Sequence, residues 1–189
     1  MGKDKALMPF LGEPLIIRLV KKFSDLADEL LVISNDPEEY QFLDLPLYPD
    51  IIPERGALGG LYTALEIASG TAVGLIACDM PFASPDLIDG CRKILHQNRA
   101  DAVIPTDEGG FQPLHAVYRR ETCLPKVKTA LDQDRWRMIS WHEHAEIIYL
   151  PPQKSRQLSG TSHTFLNLNT PEEYRNAEGL ARRLEEEGS

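Results

Sequence analysis

Apolar residues at positions 15, 16, 19, 20, 23, 26 and 27 recur at helical spacing and predict a helix over 15–27. Two continuous apolar runs follow at 30–34 (LLVIS) and 72–77 (AVGLIA), each the length of a buried strand. Between them a helix over 58–68 is opened by a glycine-rich turn at 56–60. Ser84-Pro85-Asp86 starts a helix reaching about residue 96, with Ser84 as its cap and Pro85 in the first turn, where no amide hydrogen is needed. Runs at 102–105 and 114–118 predict strands around a polar turn at 106–110. A helix over 121–131 and a strand over 146–150 come next. Thr170-Pro171-Glu172-Glu173 carries the signature of a capping box for a last helix.

Strands alternating with helices, and apolar at nearly every position, predict an α/β fold with a mostly parallel sheet and helices on both faces. The chain reads as one domain over 1–189 with an acidic tail at 180–189. Ligands of such sheets bind outside the carboxyl ends of the strands. Three polar residues meet that test: Asn35 after LLVIS, Asp50 after LPLYP and Asp79 after LIAC, all expected along one edge.

Composition narrows the partners. Of 189 residues 42% are hydrophobic, enough for a sizeable core, and the net charge of −9 argues against a nucleic-acid surface. An acidic protein can still hold a small anion in a locally positive cleft. No apolar run approaches a membrane span, and MGKDKALMPF lacks the apolar stretch of a signal peptide. Three cysteines, Cys78, Cys91 and Cys123, without a CxxC pair, read as reduced thiols of a cytoplasmic protein.

Asp79 is the sharpest candidate, because a strand-tip carboxylate can hold Mg²⁺, which takes one or two carboxylates plus substrate phosphates. The same placement also suits an Asp capping the next turn. Lys5, in Gly2-Lys3-Asp4-Lys5, can neutralise phosphate charge or simply be solvated. The 56–60 turn can bring backbone amides to a phosphate or sugar, or be a plain tight turn. His142-Glu143-His144 lacks metal-site spacing and reads as surface; His115 reads as a packed strand residue, with Gln112-Pro113-Leu114-His115 able to line a cleft. Cys78 has no activating base beside it, and no Ser-His-Asp grouping emerges.

Together these segments resemble the molybdenum cofactor guanylyltransferases, nucleotidyltransferases of Rossmann-like fold. The matching stretches are MGKDKALMPFLGEPLI (1–16), RGALGGLYTAL (55–65), ACDMPF (77–82), FQPLHAVYRRE (111–121) and FLNLNTPEEY (165–174). The first and third are shared with sugar-nucleotide and cytidylyl transferases; QPLHAVYR followed by NLNTPEE is the more specific pair. The resemblance implies transfer of GMP from GTP to molybdopterin, with Mg²⁺ as cofactor and pyrophosphate released. It implies Lys5 on the nucleotide phosphates, Asn35 and Asp50 on the guanosine, and Asp79 on Mg²⁺ and nucleotide. Gln112, Asn167 and Asn169 fall on the pterin side. Proteins of molybdenum insertion and molybdoenzyme maturation are the implied partners.

Family members open with a strand and a loop of the form LAGGxSxRMG, and Met1-Gly2 matches only its last two residues. The expectation is a working protein that starts roughly 15–25 residues upstream, with the additional strand central in the sheet. Two alternatives remain open from the sequence: the same fold using CTP, and a non-catalytic remnant that docks on cofactor-assembly partners.

Overall fold

The structure, a computed structural model, describes residues 4–187. Met1, Gly2, Lys3 and the last two residues of the acidic tail lie outside them. A short 3₁₀ turn, Lys5–Leu7, leads into an antiparallel pair, β1 (Pro9–Phe10) and β2 (Glu13–Pro14), and then α1 (Leu15–Phe23). The helix buries Leu15, Ile16, Leu19 and Phe23. It stops four residues before its apolar period does, because the Ser24 hydroxyl donates to the Lys21 carbonyl, 3.0 Å, and competes with the next helical turn.

Next come β3 (Val32–Ile33), a 3₁₀ segment Pro37–Leu43, β4 (Leu47–Tyr48) and α2 (Gly56–Ile67). β3 and β4 pair in parallel with each other. The main sheet is built from β5 (Ala72–Ile76), β6 (Ala102–Asp107), β7 (Gly110–Phe111), β8 (His115–Arg119) and β9 (Ile147–Leu150). Four more helices complete the chain: α3 (Pro85–Gln97), α4 (Arg120–Asp132), α5 (Pro152–Ser159) and α6 (Pro171–Glu187).

The mostly parallel sheet expected from the alternation is not what forms. β8 is antiparallel to both of its neighbours, β5 and β6, and β7 is antiparallel to β6; only β9 joins β6 in parallel. The reason is the connection. Between the end of β6 and the start of β8 lies only the β7 hairpin arm and its turn, too short for a helical crossover, so β8 must run back beside β6. β5, β6 and β9 do share one direction, and β8 is inserted between β5 and β6 against it.

Helices cover both faces, as expected. Residues alternate along each strand, so Val103 and Val117 point to a core shared with α1, α3 and α6, while Ala102, Ile104, Ala116 and Tyr118 point to a core shared with α2 and α4. The same alternation sends two consecutive arginines to opposite faces. Arg119 donates to the carbonyls of Leu95 and Asn98 at the end of α3, and Arg120 to those of Leu65 and Glu66 at the end of α2. Each cation thus sits at the negative end of a helix dipole. The caps read from the sequence form: Ser84 Oγ accepts from Leu87 N at 3.2 Å, and Thr170 and Glu173 close the capping box.

Candidate active site

The carboxyl ends of β3, β4 and β5 open onto one cavity of about 720 Å³, whose lining includes Asn35, Asp50, Asp79, Asp4 and Lys5. Asn35 and Asp50 form a reciprocal pair. The Asn35 side-chain amide donates to Asp50 Oδ2 at 3.1 Å, and the Asp50 main-chain N–H donates to Asn35 Oδ1 at 3.2 Å. The loop after β4 is anchored on α2, where Ile51 N donates to Thr63 Oγ1 and Thr63 Oγ1 donates to the Gly59 carbonyl, both at 3.0 Å. A Cβ on Gly59 would stand 3.2 Å from the Ile52 carbonyl oxygen, so the close approach of helix and loop needs a glycine there. Gly56, at φ +56°, makes the left-handed turn that starts α2, and Gly56, Ala57 and Gly60 line the same mouth.

Across the mouth, Lys5 Nζ donates to Asn169 Oδ1 at 2.9 Å and lies 3.8 Å from Asp79 Oδ2. Asp79 is held by its backbone, since its carbonyl accepts from Leu168 N at 3.0 Å. The segment carrying Asn169 is fixed in turn, because Asn169 N and Thr170 N both donate to Glu173 Oε2 at 2.8 Å. On the other side, Ser84 N donates to His115 Nε2 at 2.9 Å, which ties the 79–84 loop to β8. His115 is fully buried, and burial pushes its imidazole down to about 4.

Asn35, Asp50, Asp79, Lys5 and Asn169 are therefore brought together, although Asn169 stands with Lys5 and Asp79 rather than apart from the nucleotide-side residues. Gln112, Asn167 and Asn169 do not line the cavity, and Asn169 meets it only through Lys5. Gln112 Nε2 donates to Asp107 Oδ1 at 2.9 Å across the β6–β7 hairpin, and Asn167 is exposed beside Leu168. His142 and His144 lie in a 3₁₀ turn ahead of β9, and no cluster of three metal-ligating side chains occurs among the described residues.

Sequence reasoning missed Asp4. Its carboxylate caps the Lys5–Leu7 turn through Ala6 N and accepts from the Tyr40 hydroxyl, which aims Lys5 into the cavity. The signal was present as the one acid within Lys3-Asp4-Lys5. Arg55, which precedes the glycine turn, stacks 4.2 Å over the Trp136 ring and does not line the cavity.

Among the described residues, three carboxylates, Asp4, Asp50 and Asp79, thus line this mouth with one lysine, Lys5. A polyanionic phosphate would need a further cation to settle here. One strand-tip carboxylate plus phosphate oxygens is a donor set Mg²⁺ accepts. The Cys78 thiol, pushed up to about 11 first by desolvation and then by the Asp79 and Asp4 carboxylates, is no nucleophile.

The MobA-like NTP transferase domain matches residues 1–146. The chain belongs to this family. A protein of Natranaerobius thermophilus named a probable molybdenum cofactor guanylyltransferase is 30% identical over 181 residues, covering 94% of this chain and 88% of that one. The molybdenum cofactor guanylyltransferase of Syntrophotalea carbinolica is 29% identical over 174 residues, 92% of this chain and 82% of its own. Among solved structures, molybdopterin-guanine dinucleotide biosynthesis protein A from Archaeoglobus fulgidus superposes with a TM-score of 0.84 at 23% identity, covering 96% of this chain and 92% of that one. The 2-C-methyl-D-erythritol 4-phosphate cytidylyltransferase of Thermus thermophilus follows the same fold with a TM-score of 0.68 at 16% identity, over 94% of each chain. These relatives agree with the resemblance read from QPLHAVYR and NLNTPEE.

Proposed function

We propose that this transferase moves GMP from GTP to molybdopterin and releases pyrophosphate. The observation that carries the reading is the Lys5–Asp79–Asn169 cluster at the carboxyl end of β5, in a chain whose relatives are named for that reaction. A phosphate oxygen of molybdopterin attacks the α-phosphorus of GTP in line, the new P–O bond forms, and the bond to the β-phosphate breaks. The substrate brings its own nucleophile, which suits a site with no activated Ser or Cys.

Lys5 is a point charge set against the β- and γ-phosphates, where negative charge grows as pyrophosphate leaves. Asn169 holds its ammonium in place. Asp79 would hold Mg²⁺ together with the phosphate oxygens, and the ion would supply charge neutralisation and alignment of the triphosphate. The Asn35–Asp50 pair offers an amide and a carboxylate to the ribose and base, and the first turn of α2 offers backbone amides. In this reading the reaction belongs to the cytoplasm, with the proteins that insert molybdenum and mature the molybdoenzymes as partners. Among the described residues no helix is long and apolar enough to cross a membrane.

The test is transfer of label from α-³²P-GTP into a pterin dinucleotide, with Mg²⁺ and with CTP and ATP as competitors. Preference for GTP is expected. Equal or faster use of CTP would move the chain to the cytidylyl branch. A folded chain that binds no nucleotide would be a docking module instead.

A further inference from the structure

Two helices, α3 and α6, begin with a hydroxyl cap followed by proline, and they complete the cap differently. In α6 the box is local. Thr170 Oγ1 accepts from Glu173 N at 3.1 Å, and the Thr170 N–H donates back to Glu173 Oε2 at 2.8 Å. In α3 the position matching Glu173 is Leu87, whose side chain has no acceptor. Ser84 Oγ still accepts from Leu87 N, but the Ser84 N–H donates to His115 Nε2, 2.9 Å away and 31 positions along the chain. A side chain from the sheet thus does what the neighbouring turn does in α6.

This bond fixes more than a helix end. Leu114 and His115 are adjacent, and the Leu114 carbonyl accepts from Ala77 N at 2.8 Å. Both ends of the 77–84 loop therefore hang on the start of β8, with Asp79 between them. From the other side the loop meets the segment ahead of α6: Leu168 N donates to the Asp79 carbonyl at 3.0 Å, and the Phe82 ring lies 6.1 Å from that of His163. The same segment holds the imidazole, because Phe165 stands edge-on to His115 at 5.7 Å. His115 is wedged between the loop that carries Asp79 and the segment that carries Asn169, and Asn169 in turn holds Lys5.

Packing alone does not account for an imidazole here. His115 is fully buried, and Ala116 and Val117 beside it are buried apolar residues. Because Nε2 accepts, Nδ1 carries the ring proton, and among the described residues Nδ1 meets no hydrogen-bond partner. A leucine or valine would fill the place without orphaning a donor. Neither could accept from Ser84 N.

We infer that His115 is a positioning residue for Asp79: by closing the 77–84 loop on β8 it sets where the carboxylate stands relative to Lys5 and Asn169. His115 itself touches no substrate, and Asp79 has its metal-holding part only in the guanylyltransferase reading, on which the inference rests.

The experiment compares this chain with His115→Gln, His115→Asn and His115→Leu. Glutamine Oε1 stands as many bonds beyond Cβ as Nε2 does and can accept from Ser84 N; asparagine Oδ1 stands one bond closer and falls short; leucine has no acceptor. The first readout is ligand-free amide exchange by NMR at Ser84 and Leu168, with Arg119 N, bonded to the Asp101 carbonyl at the far end of β8, as reference. Exchange at both amides is expected to quicken about tenfold relative to Arg119 in the asparagine and leucine variants, and glutamine to restore most of the protection. The second readout is the Mg²⁺ concentration for half-maximal GMP transfer, expected to rise about 10–100-fold in the same two variants and to return toward the parent value with glutamine. A folded leucine variant with a protected Leu168 amide, or with the parent's Mg²⁺ requirement, would overturn the inference. So would a glutamine variant no better than asparagine, or quickening shared equally by Arg119, which marks lost stability instead of lost position. Where leucine does not fold, the glutamine and asparagine variants, amides differing by one methylene, decide. The exchange readout needs no nucleotide, so a parent that transfers no GMP yet shows the expected exchange pattern fails the guanylyltransferase reading alone.

Discussion

Two halves of this molecule carry equally apolar strands and bury them differently. In the half around β6 and β8, Ala102, Val103, Ile104, Ala116, Val117 and Tyr118 are at most 1% exposed. In the half around β3 and β5, the LLVIS and LIA runs are only partly covered. The closed half has a hydrogen-bonded neighbour on each side of its central strands, a helix layer on each face, and clamps such as the Asp101–Lys126 ion pair and the two arginines on helix ends. The open half has helices on its faces, and among the described residues no ladder joins β3 to β5. The chemistry-bearing residues all stand at the carboxyl ends of the open half. Apolar side chains set a demand for burial; neighbouring strands decide whether it is met.

The largest contrast is in stability. Ile104→Ala should cost about 2–5 kcal/mol, since it leaves a cavity in a filled core, whereas Ile33→Ala, beside space already present, should cost under about 1 kcal/mol. Urea unfolding of both variants measures the difference, and equal losses would erase the distinction between the halves.

Asp79→Ala reverses the contrast: a large effect on chemistry with little on folding. Removing an electrostatic contact made in the transition state lowers the rate by about 10²–10³, roughly 3–4 kcal/mol. The thermal midpoint should hold, because the fold uses the Asp79 carbonyl rather than its carboxylate. Near-normal Mg²⁺-dependent turnover in the variant would remove Asp79 from the metal.

A third effect belongs to the closed half and depends on pH. Burial holds His115 at about 4 against an ordinary 6.5, and Ser84 N–H occupies its Nε2. The unfolded chain takes up this proton first as pH falls. The stabilisation is therefore complete above pH 6.5 and is lost as pH drops from 6.5 through 4. The span corresponds to about 3 kcal/mol. His142, also pushed down to about 4 by burial, titrates in the same window, so the difference between the parent and His115→Gln isolates the His115 share. A pH profile unchanged by His115→Gln would contradict the buried neutral imidazole.

The smallest effect is on ligand binding. Lys5→Ala should weaken GTP binding about tenfold and leave GMP nearly untouched, since a charge on the β- or γ-phosphate has nothing to hold in a monophosphate. Calorimetry with both nucleotides tells this apart from damage to the Lys5–Leu7 turn, which would weaken both.

The helices, their caps and the strand-tip positions of Asn35, Asp50 and Asp79 were legible because they depend on residues a few places apart. Ser84 with Leu87, Thr170 with Glu173, and the period of Leu15, Ile16 and Leu19 are local facts of backbone geometry. The family was legible for a related reason: short characteristic stretches keep their order along the chain, and the comparisons agree with them. Strand direction was not. Apolar runs look alike whichever way they point, and the reversal of β8 follows from the brevity of the β7 hairpin arm, a feature that passed as an ordinary polar turn.

What the sequence determined by itself is which segments are helical, which are apolar enough to demand an interior, and which polar residues stand at strand ends. Only the tertiary structure decided that Lys5 reaches Asn169 across 164 positions, that Gln112 turns to Asp107 instead, and that β3 and β5 face each other across a gap. The physical reason is range. Periodicity and capping are set by neighbours within a turn of chain, whereas a lysine meeting an amide, or a strand edge meeting its partner, depends on how every intervening element packs.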